Sequence, residues 1–465
     1  MNLRPKYLLL LCLLLNIALS ACSDTESPSP TPVALSTTAT TFISQGTVTP
    51  EIDPVSTYQA EQQTLALDTP GVINNIHTPT ATPVFAPSQT PLRGLTPAPI
   101  TPVEQSQPLP KGGFVVATNV GLFWLSADGK DERNILSGYS FSEPKVAPDG
   151  SKVALFRTDP ISLRKQFILV SAGGVLKPVT EAGGTILSAT WSPDSKTLAL
   201  TRVTDDNGDG IANEYDTPSI WLYDVATDKQ RKLTDGHNPA WSQDGQRLLF
   251  VMPGQYNDDI DPSTHKPRRS PNSLVLYTIQ NNTRRVLLDT VKKPEITLPS
   301  DMEDGLKGQI VTLRYFKEVA WHPDGKRLTV SADALTKSGG SVGLVLTVTT
   351  EDLNPKLVTA GGDAAVGVAW SDDGKRLAYE IELQFPVKPS SAFRLALVDT
   401  VSPPQRPRLY IGMASNRTET RQPRWINHGQ QLAFQEIESG ALVVLDESGN
   451  ISRLVGGCNG FDWLN

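Results

Sequence analysis

The chain has 465 residues, a formal net charge of −7, 37 prolines and three cysteines. A negative balance argues against a nucleic-acid partner, and three cysteines exclude a disulfide-stapled scaffold. The length admits two or three domains, but composition shifts along the chain, so the elements are taken in order.

The first 21 residues read as an export signal. Arg4 and Lys6 precede an apolar run, YLLLLCLLLNIALSA, that is short for a membrane span and ends in small residues. Leu19-Ser20-Ala21-Cys22 resembles the bacterial lipobox. That resemblance implies cleavage before Cys22 and acylation of its thiolate, which places the mature chain on the outer side of a bacterial membrane, held by more than one acyl chain. With Cys12 removed and Cys22 lipidated, Cys458 is left alone and reads as a packing residue.

Residues 22–111 are rich in Pro, Thr and Ser ("SPSPTPVALSTTATT", "TPTATPVFAPSQTP") and poor in aromatics. Such a segment buries too little surface to offset chain entropy, so a disordered tether is expected, with a reach of roughly 50 Å. Its role would be to hold a folded body, 112–465, away from the membrane.

That body repeats one phrase. It occurs as PKVAPDGSKVALF (144–156), ATWSPDSKTLAL (189–200), PAWSQDGQRLLF (239–250), VAWHPDGKRLTV (319–330), VAWSDDGKRLAY (368–379) and PRWINHGQQLAF (423–434), with a truncated GFDWLN at the end. Each copy predicts a strand ending at the Trp, a tight Pro-Asp-Gly turn, solvated basic residues and a second, alternating strand. Two more strands follow each copy, as SIWLYDV (219–225) and KQRKLT (229–234) follow Trp191. Four strands A to D, repeated in series without long helices at spacings of mostly about 45–55 residues, predict an all-β propeller. Before the first full copy, GFVVAT, GLFWLS and KDERNIL supply B, C and D without A; GFDWLN supplies A alone. Joined, they give a seventh, composite blade that closes the ring and removes its open edges.

The phrase also resembles the TolB-type, WD40-like (PD40) propeller repeat, whose consensus runs W-S-P-D-G before an aliphatic-Ala-Phe strand. The resemblance covers about residues 112–465 and implies the fold, not one function. Val146 in place of Trp and Asn427-His428-Gly429 in place of Pro-Asp-Gly depart from it. The N-terminal domain of TolB is absent, so a TolB role does not carry over.

By topology, the long B–C loops (204–218, 252–272, 384–392) and the D–A connection at about 291–315 share one face, as a docking surface does. One loop matches the twelve-residue EF-hand spacing. Asp205, Asn207 and Asp209 would give side-chain oxygens to Ca²⁺, Ile211 its carbonyl, Asn213 a direct or water-mediated contact and Asp216 the closing carboxylate, with Gly210 at the turn. The expected role of this calcium is structural. Against catalysis, Gly339-Gly340-Ser341-Val342-Gly343 matches G-x-S-x-G but lies in a B–C connection, away from any strand-to-helix elbow. The five histidines are scattered, and the loop carboxylates Asp258, Asp259, Asp261, Asp301, Glu303 and Asp304 read as solvated. A propeller-peptidase fragment is disfavoured because no catalytic domain follows the closing strand. The expectation is a monomeric, non-enzymatic binding or scaffold module for a protein, peptide or glycan. Its alternative is a carbohydrate-active lyase or hydrolase, which would need His, Arg and carboxylates converging in the propeller mouth.

Overall fold

The structure is a computed structural model. It describes residues 107–465 except 180–183, 206–215, 255, 261–266, 270–271, 293, 301–305, 362–363, 385–390, 400–407 and 410–419. Among the described residues the strands form seven sheets, six of four strands and one of five, together with a separate two-stranded hairpin. Blade 1 runs from Ser140–Val146 to Leu176–Pro178 and blade 2 from Thr185–Trp191 to Gln230–Asp235. Blade 3 spans His237–Trp241 to Thr283–Asp289, blade 4 Glu295–Thr297 to Lys356–Ala360, blade 5 Ala364–Trp370 to Arg408–Leu409, and blade 6 Thr420–Ile426 to Ile451–Val455. The strands that open each copy of the phrase, Trp-bearing in every blade but blade 1, touch one another all the way round, which makes them the inner wall of a closed ring.

Closure follows the expected route. The last strand, Cys458–Leu464, pairs antiparallel with Gly113–Thr118, placing Trp463 opposite Phe114 and Asp462 opposite Val115. The Phe114 and Trp463 rings lie 4.8 Å apart, edge to face, an arrangement that adds about 0.5–1.5 kcal/mol to the burial itself. Residues ahead of the first strand are drawn in as well: the Leu109 amide donates to the Gly150 carbonyl at 2.9 Å and Gly112 to Leu464 at 2.7 Å.

Among the described residues the core is divided between the blades. Seven hydrophobic clusters each fill one gap between neighbouring blades. The second strand of each repeat feeds two of them. Val153 and Leu155 face the composite blade while Ala154 and Phe156 face blade 2; Leu248 and Phe250 face blade 2 while Leu249 and Val251 face blade 4. A strand buried on both sides alternates between neighbours rather than between core and water, which is why this part of the phrase is apolar throughout.

The conserved shape of the phrase has a second cause, visible only across blades. Trp191 Nε1 donates to the Lys145 carbonyl of blade 1 at 2.8 Å. Trp241 reaches Thr190, Trp321 reaches Ala240 and Trp425 reaches Ala369, at 3.3, 3.1 and 3.0 Å. Each of these four Trp residues ties its blade to the inner strand of the blade before it, while Trp370 reaches the Thr329 hydroxyl on the second strand of the repeat in blade 4. The basic residues after the turn, expected to be solvated, are partly used in the same joint. Arg247 lies over Trp321 and Arg376 over Trp425, each 4.8 Å from the ring centroid, a contact of about 0.5–1 kcal/mol where partly exposed.

Other differences from the expected plan are local. The connection at 291–315 is not a plain loop: Glu295–Thr297 pairs with the start of the long strand Ile310–Trp321, making blade 4 five-stranded. The insert after Met252 carries the hairpin of Tyr256–Ile260 and Pro267–Arg269. At the G-x-S-x-G match, Gly339 and Gly340 make the turn and Ser341 opens a strand paired with Arg327–Leu335, so no helix follows the serine.

Candidate functional site

Most of the sequence-derived site residues lie outside the described residues: Cys22, and within the proposed calcium loop Asn207, Asp209, Ile211 and Asn213. Asp205 is exposed two residues beyond the strand Thr197–Val203, and Asp216 is 1% exposed ahead of the strand Ser219–Asp224. The pairing of Arg202 with Ser219 brings the two ends of that loop together at the entrance of blade 2. Among the described residues no three metal-holding side chains cluster.

The starts of the inner strands, the ends of the second strands and the B–C loops share one end of the ring, as Thr185 opposite Val203 and His237 opposite Val251 demonstrate. A cavity of about 330 Å³ opens there between blades 2, 3 and 4. Leu187, Val203, Pro218, Pro253 and Tyr315 supply its apolar lining, and Ser188, Asp216, His237 and Asn238 its polar points. Leu187 is 40% exposed, high for a leucine at a blade junction. The surround is pinned: Asn238 donates to the Lys317 carbonyl at 2.9 Å, and buried Asn272 mimics a backbone unit, giving and accepting at 2.7 and 2.8 Å with Phe316. A largely apolar recess with a few fixed polar atoms is the usual form of a ligand site.

The inner strands of the ring also carry charges that composition did not foretell. The inner strands bulge near the third residue before the Trp position. Glu143, Asn238 and Gln422 there have φ of 54°, 52° and 58°, values that L residues seldom adopt outside turns and sites under functional constraint. Blade 5 has Gly367 at this point, with φ 65°, where an added Cβ would sit 2.7 Å from Glu380 Oε1. Inner-strand amides, two of them within the bulges, are captured by side chains of the preceding blade. Gly367 N donates to Glu318, Gln422 N to Glu380, Phe461 N to Gln422 Oε1 and Val146 N to Asp462. Four consecutive joints, from blade 4 through the composite blade to blade 1, are thus latched by one acceptor each.

Three residues immediately before the Trp position extend this group: Lys145, Arg424 and Asp462. Arg424 Nε lies 3.5 Å from Asp462 Oδ1. Burial pushes the Lys145 ammonium below the ordinary lysine range and the Arg424 charge adds to this, while Asp462, Glu143 and Glu318 oppose it. Glu380, 4% exposed, has its carboxyl pushed up to about 7 by burial, against the pull of the Gln422 amide and Arg421. Of the His, Arg and carboxylate convergence required for chemistry in the mouth, these residues supply the Arg and carboxylate parts, with Lys145 beside them and no His among them. The signal was in the repeat: the positions one and three before each Trp hold Lys145, Arg424, Asp462, Glu143 and Glu318, too many charges for an inner strand. Cys458, by contrast, is buried, with its thiol raised to about 12 by desolvation, and packs as expected.

No protein-family model matches the chain. A curated protein of Bacillus subtilis strain 168, named an uncharacterized peptidase, is 24% identical over 203 residues, 42% of this chain and 30% of that protein. The chain thus spans about a third of that relative's length. Among solved structures, TolB from Acinetobacter baumannii is 16% identical with a TM-score of 0.40, over 75% of this chain and 81% of that one. A prolyl endopeptidase is 14% identical with a TM-score of 0.48, over 77% and 50%. The fold assignment itself rests on the strand register and ring closure. The expectation that the chain is not an enzyme is overturned by the peptidase name of the curated relative, and it is withdrawn. Among the described residues no helix is long and apolar enough to cross a membrane.

Proposed function

We propose that this chain is a lipid-anchored, extracytoplasmic propeller that binds a protein, peptide or glycan at the mouth bounded by blades 2, 3 and 4. The observation that carries the reading is the 330 Å³ recess lined by Leu187, Val203 and Tyr315 on the face where the inserted loops gather. A photo-crosslinking residue at Tyr315 in the lipidated, full-length protein on intact cells is expected to trap a discrete partner, and Leu187→Asp to remove it. Trapping unchanged by Leu187→Asp would reject the site. The anchor is tested separately, by whether Cys22→Ala moves the protein from the membrane to the soluble fraction.

Calcium at Asp205, Asn207, Asp209, Ile211, Asn213 and Asp216 would tie down the loop bordering this recess, through buried Asp216. Millimolar Ca²⁺ is expected to raise the Tm of the protein, and the double change Asp205→Ala with Asp209→Ala to erase the rise. An unchanged wild-type Tm removes the metal from the reading.

A second reading, hydrolysis or elimination on the bound ligand, is favoured by Lys145, Arg424 and Asp462 meeting on the inner strands of blade 1, blade 6 and the composite blade and by the peptidase name of the curated relative. It requires Lys145→Met to abolish turnover of a trapped ligand while leaving its crosslinking at Tyr315 intact.

A further inference from the structure

The opposite end of the ring, where the tight turns lie, holds a larger cavity of about 790 Å³ between blades 2 and 3. Its origin is a missing contact. In blade 3 the turn is framed by Ser242 N donating to Arg247 O at 2.9 Å and Arg247 N to Ser242 Oγ at 2.9 Å; the Arg247 guanidinium then lies over Trp321 of the next blade. Blade 5 repeats this with Ser371 and Arg376, at 2.9 and 3.0 Å, and Arg376 lies over Trp425. In blade 4 the His322 ring fills the same role against Trp370, 4.6 Å away.

Blade 2 has the same frame, with Ser192 N to Thr197 O at 2.8 Å and Thr197 N to Ser192 Oγ at 2.9 Å. The arginine position is therefore occupied by Thr197, whose side chain ends at its γ atoms and cannot span to the next blade. Its neighbour Trp241 is half-buried and forms part of the cavity wall together with Thr197 itself. The carboxylate that accompanies the arginine elsewhere is still in place. Asp244 Oδ2 stands 3.4 Å from Arg247 Nη2, and the equivalent Asp194 keeps the same turn contacts through Oδ1, from Ser192 Oγ at 2.6 Å and Lys196 N at 3.1 Å. Asp224 and Asp244 add two more carboxylates to the wall, against Lys229 and Arg231; Leu222 gives it an apolar side.

We propose that this cavity is a binding site for an arginine side chain of a peptide or protein partner, the guanidinium lying over Trp241 and meeting the Asp194 carboxylate. The guest reproduces from outside the contact that Arg247 and Arg376 make from within. Guanidinium suits the place because it is planar, weakly hydrated and able to stack and bond a carboxylate at once. This site is independent of the mouth and of the lipid anchor.

The test uses the full chain labelled with 5-fluorotryptophan, with the Trp241 ¹⁹F resonance assigned by Trp241→Phe. Titration with N-acetyl-L-arginine amide is expected to shift that resonance with a Kd in the millimolar range. The neutral isostere N-acetyl-L-citrulline amide should bind about tenfold more weakly, as should the arginine probe to Asp194→Asn, each a loss of about 1.4 kcal/mol. Thr197→Arg should abolish the response by supplying the resident arginine. If Thr197→Arg does not fold, Asp194→Asn, which retains the turn's acceptor, decides alone. No shift at about 50 mM probe, far above the expected Kd, overturns the proposal. So does an equal response to citrulline, an undiminished response in Asp194→Asn or in folded Thr197→Arg, or a response to cello-oligosaccharides with none to arginine.

Discussion

Removal of residues 458–465 is expected to leave the chain without a folded propeller. Those residues are the only inner strand of the composite blade, and their loss opens both the Gly113–Thr118 edge and the joints to blades 6 and 1. Phe461, Trp463 and Leu464 are 1, 9 and 1% exposed, and each buried side chain of this size contributes about 1.5–3 kcal/mol. Asp462 also latches Val146, and Cys458 accepts from buried Gln435 and donates to Gly440. The sum is comparable with the whole net stability of a typical domain, about 5–15 kcal/mol. Near-ultraviolet circular dichroism and the hydrodynamic radius would report the change. A truncated protein that still melts cooperatively within a few degrees of the intact one would contradict a ring that depends on this strand.

The second large effect is set by pH. Glu380 is buried, and its carboxyl is raised to about 7 from an ordinary 4.5. The folded state therefore holds this proton more tightly than the unfolded chain does. Its stabilising contribution is fully present below about pH 4.5 and is lost as pH rises through 7. The groups that face it are the Gln422 amide at 2.6 Å, Arg421 at 3.4 Å and, from blade 4, Glu318. Glu380→Gln keeps an acceptor for the Gln422 amide and removes the charge. Urea unfolding at pH 8 is expected to find the variant more stable than wild type by about 2–3 kcal/mol, with the gap closing near pH 5. A variant less stable than wild type at both values would mean that the Arg421 pair outweighs the burial cost.

Some features of this protein could be read locally. Pro-Asp-Gly and its variants mark tight turns because their backbone preferences do not depend on distant residues. Alternation in GFVVAT or SLVLYTI marks strands for a similar reason, and the unequal ends, three strands in front and one behind, imply closure. The solvated reading of Arg247 and Arg376 failed because a side chain's cover comes from the adjacent repeat, and nothing within VAWSDDGKRLAY says what lies 4.8 Å above Arg376. The plain loop expected at 291–315 failed likewise, since a three-residue strand such as Glu295–Thr297 exists only by pairing with the long strand beside it.

The candidate site divides in the same way. The one-sided gathering of long loops followed from strand order alone. The axial charges, the recess at Leu187 and Tyr315, and the cavity at Trp241 did not, although every residue involved was in plain view.

By itself, then, the sequence determined the period, the turns, the count of blades and the means of closing the ring, because each is written in short-range backbone preference repeated in series. Tertiary structure alone decided which charges meet on the axis, which inner-strand amides the carboxylates hold, and which tryptophans an arginine covers. Those outcomes depend on side chains from two or three repeats, about 50 residues apart in the chain, being brought within a few ångströms, and no single repeat contains that information.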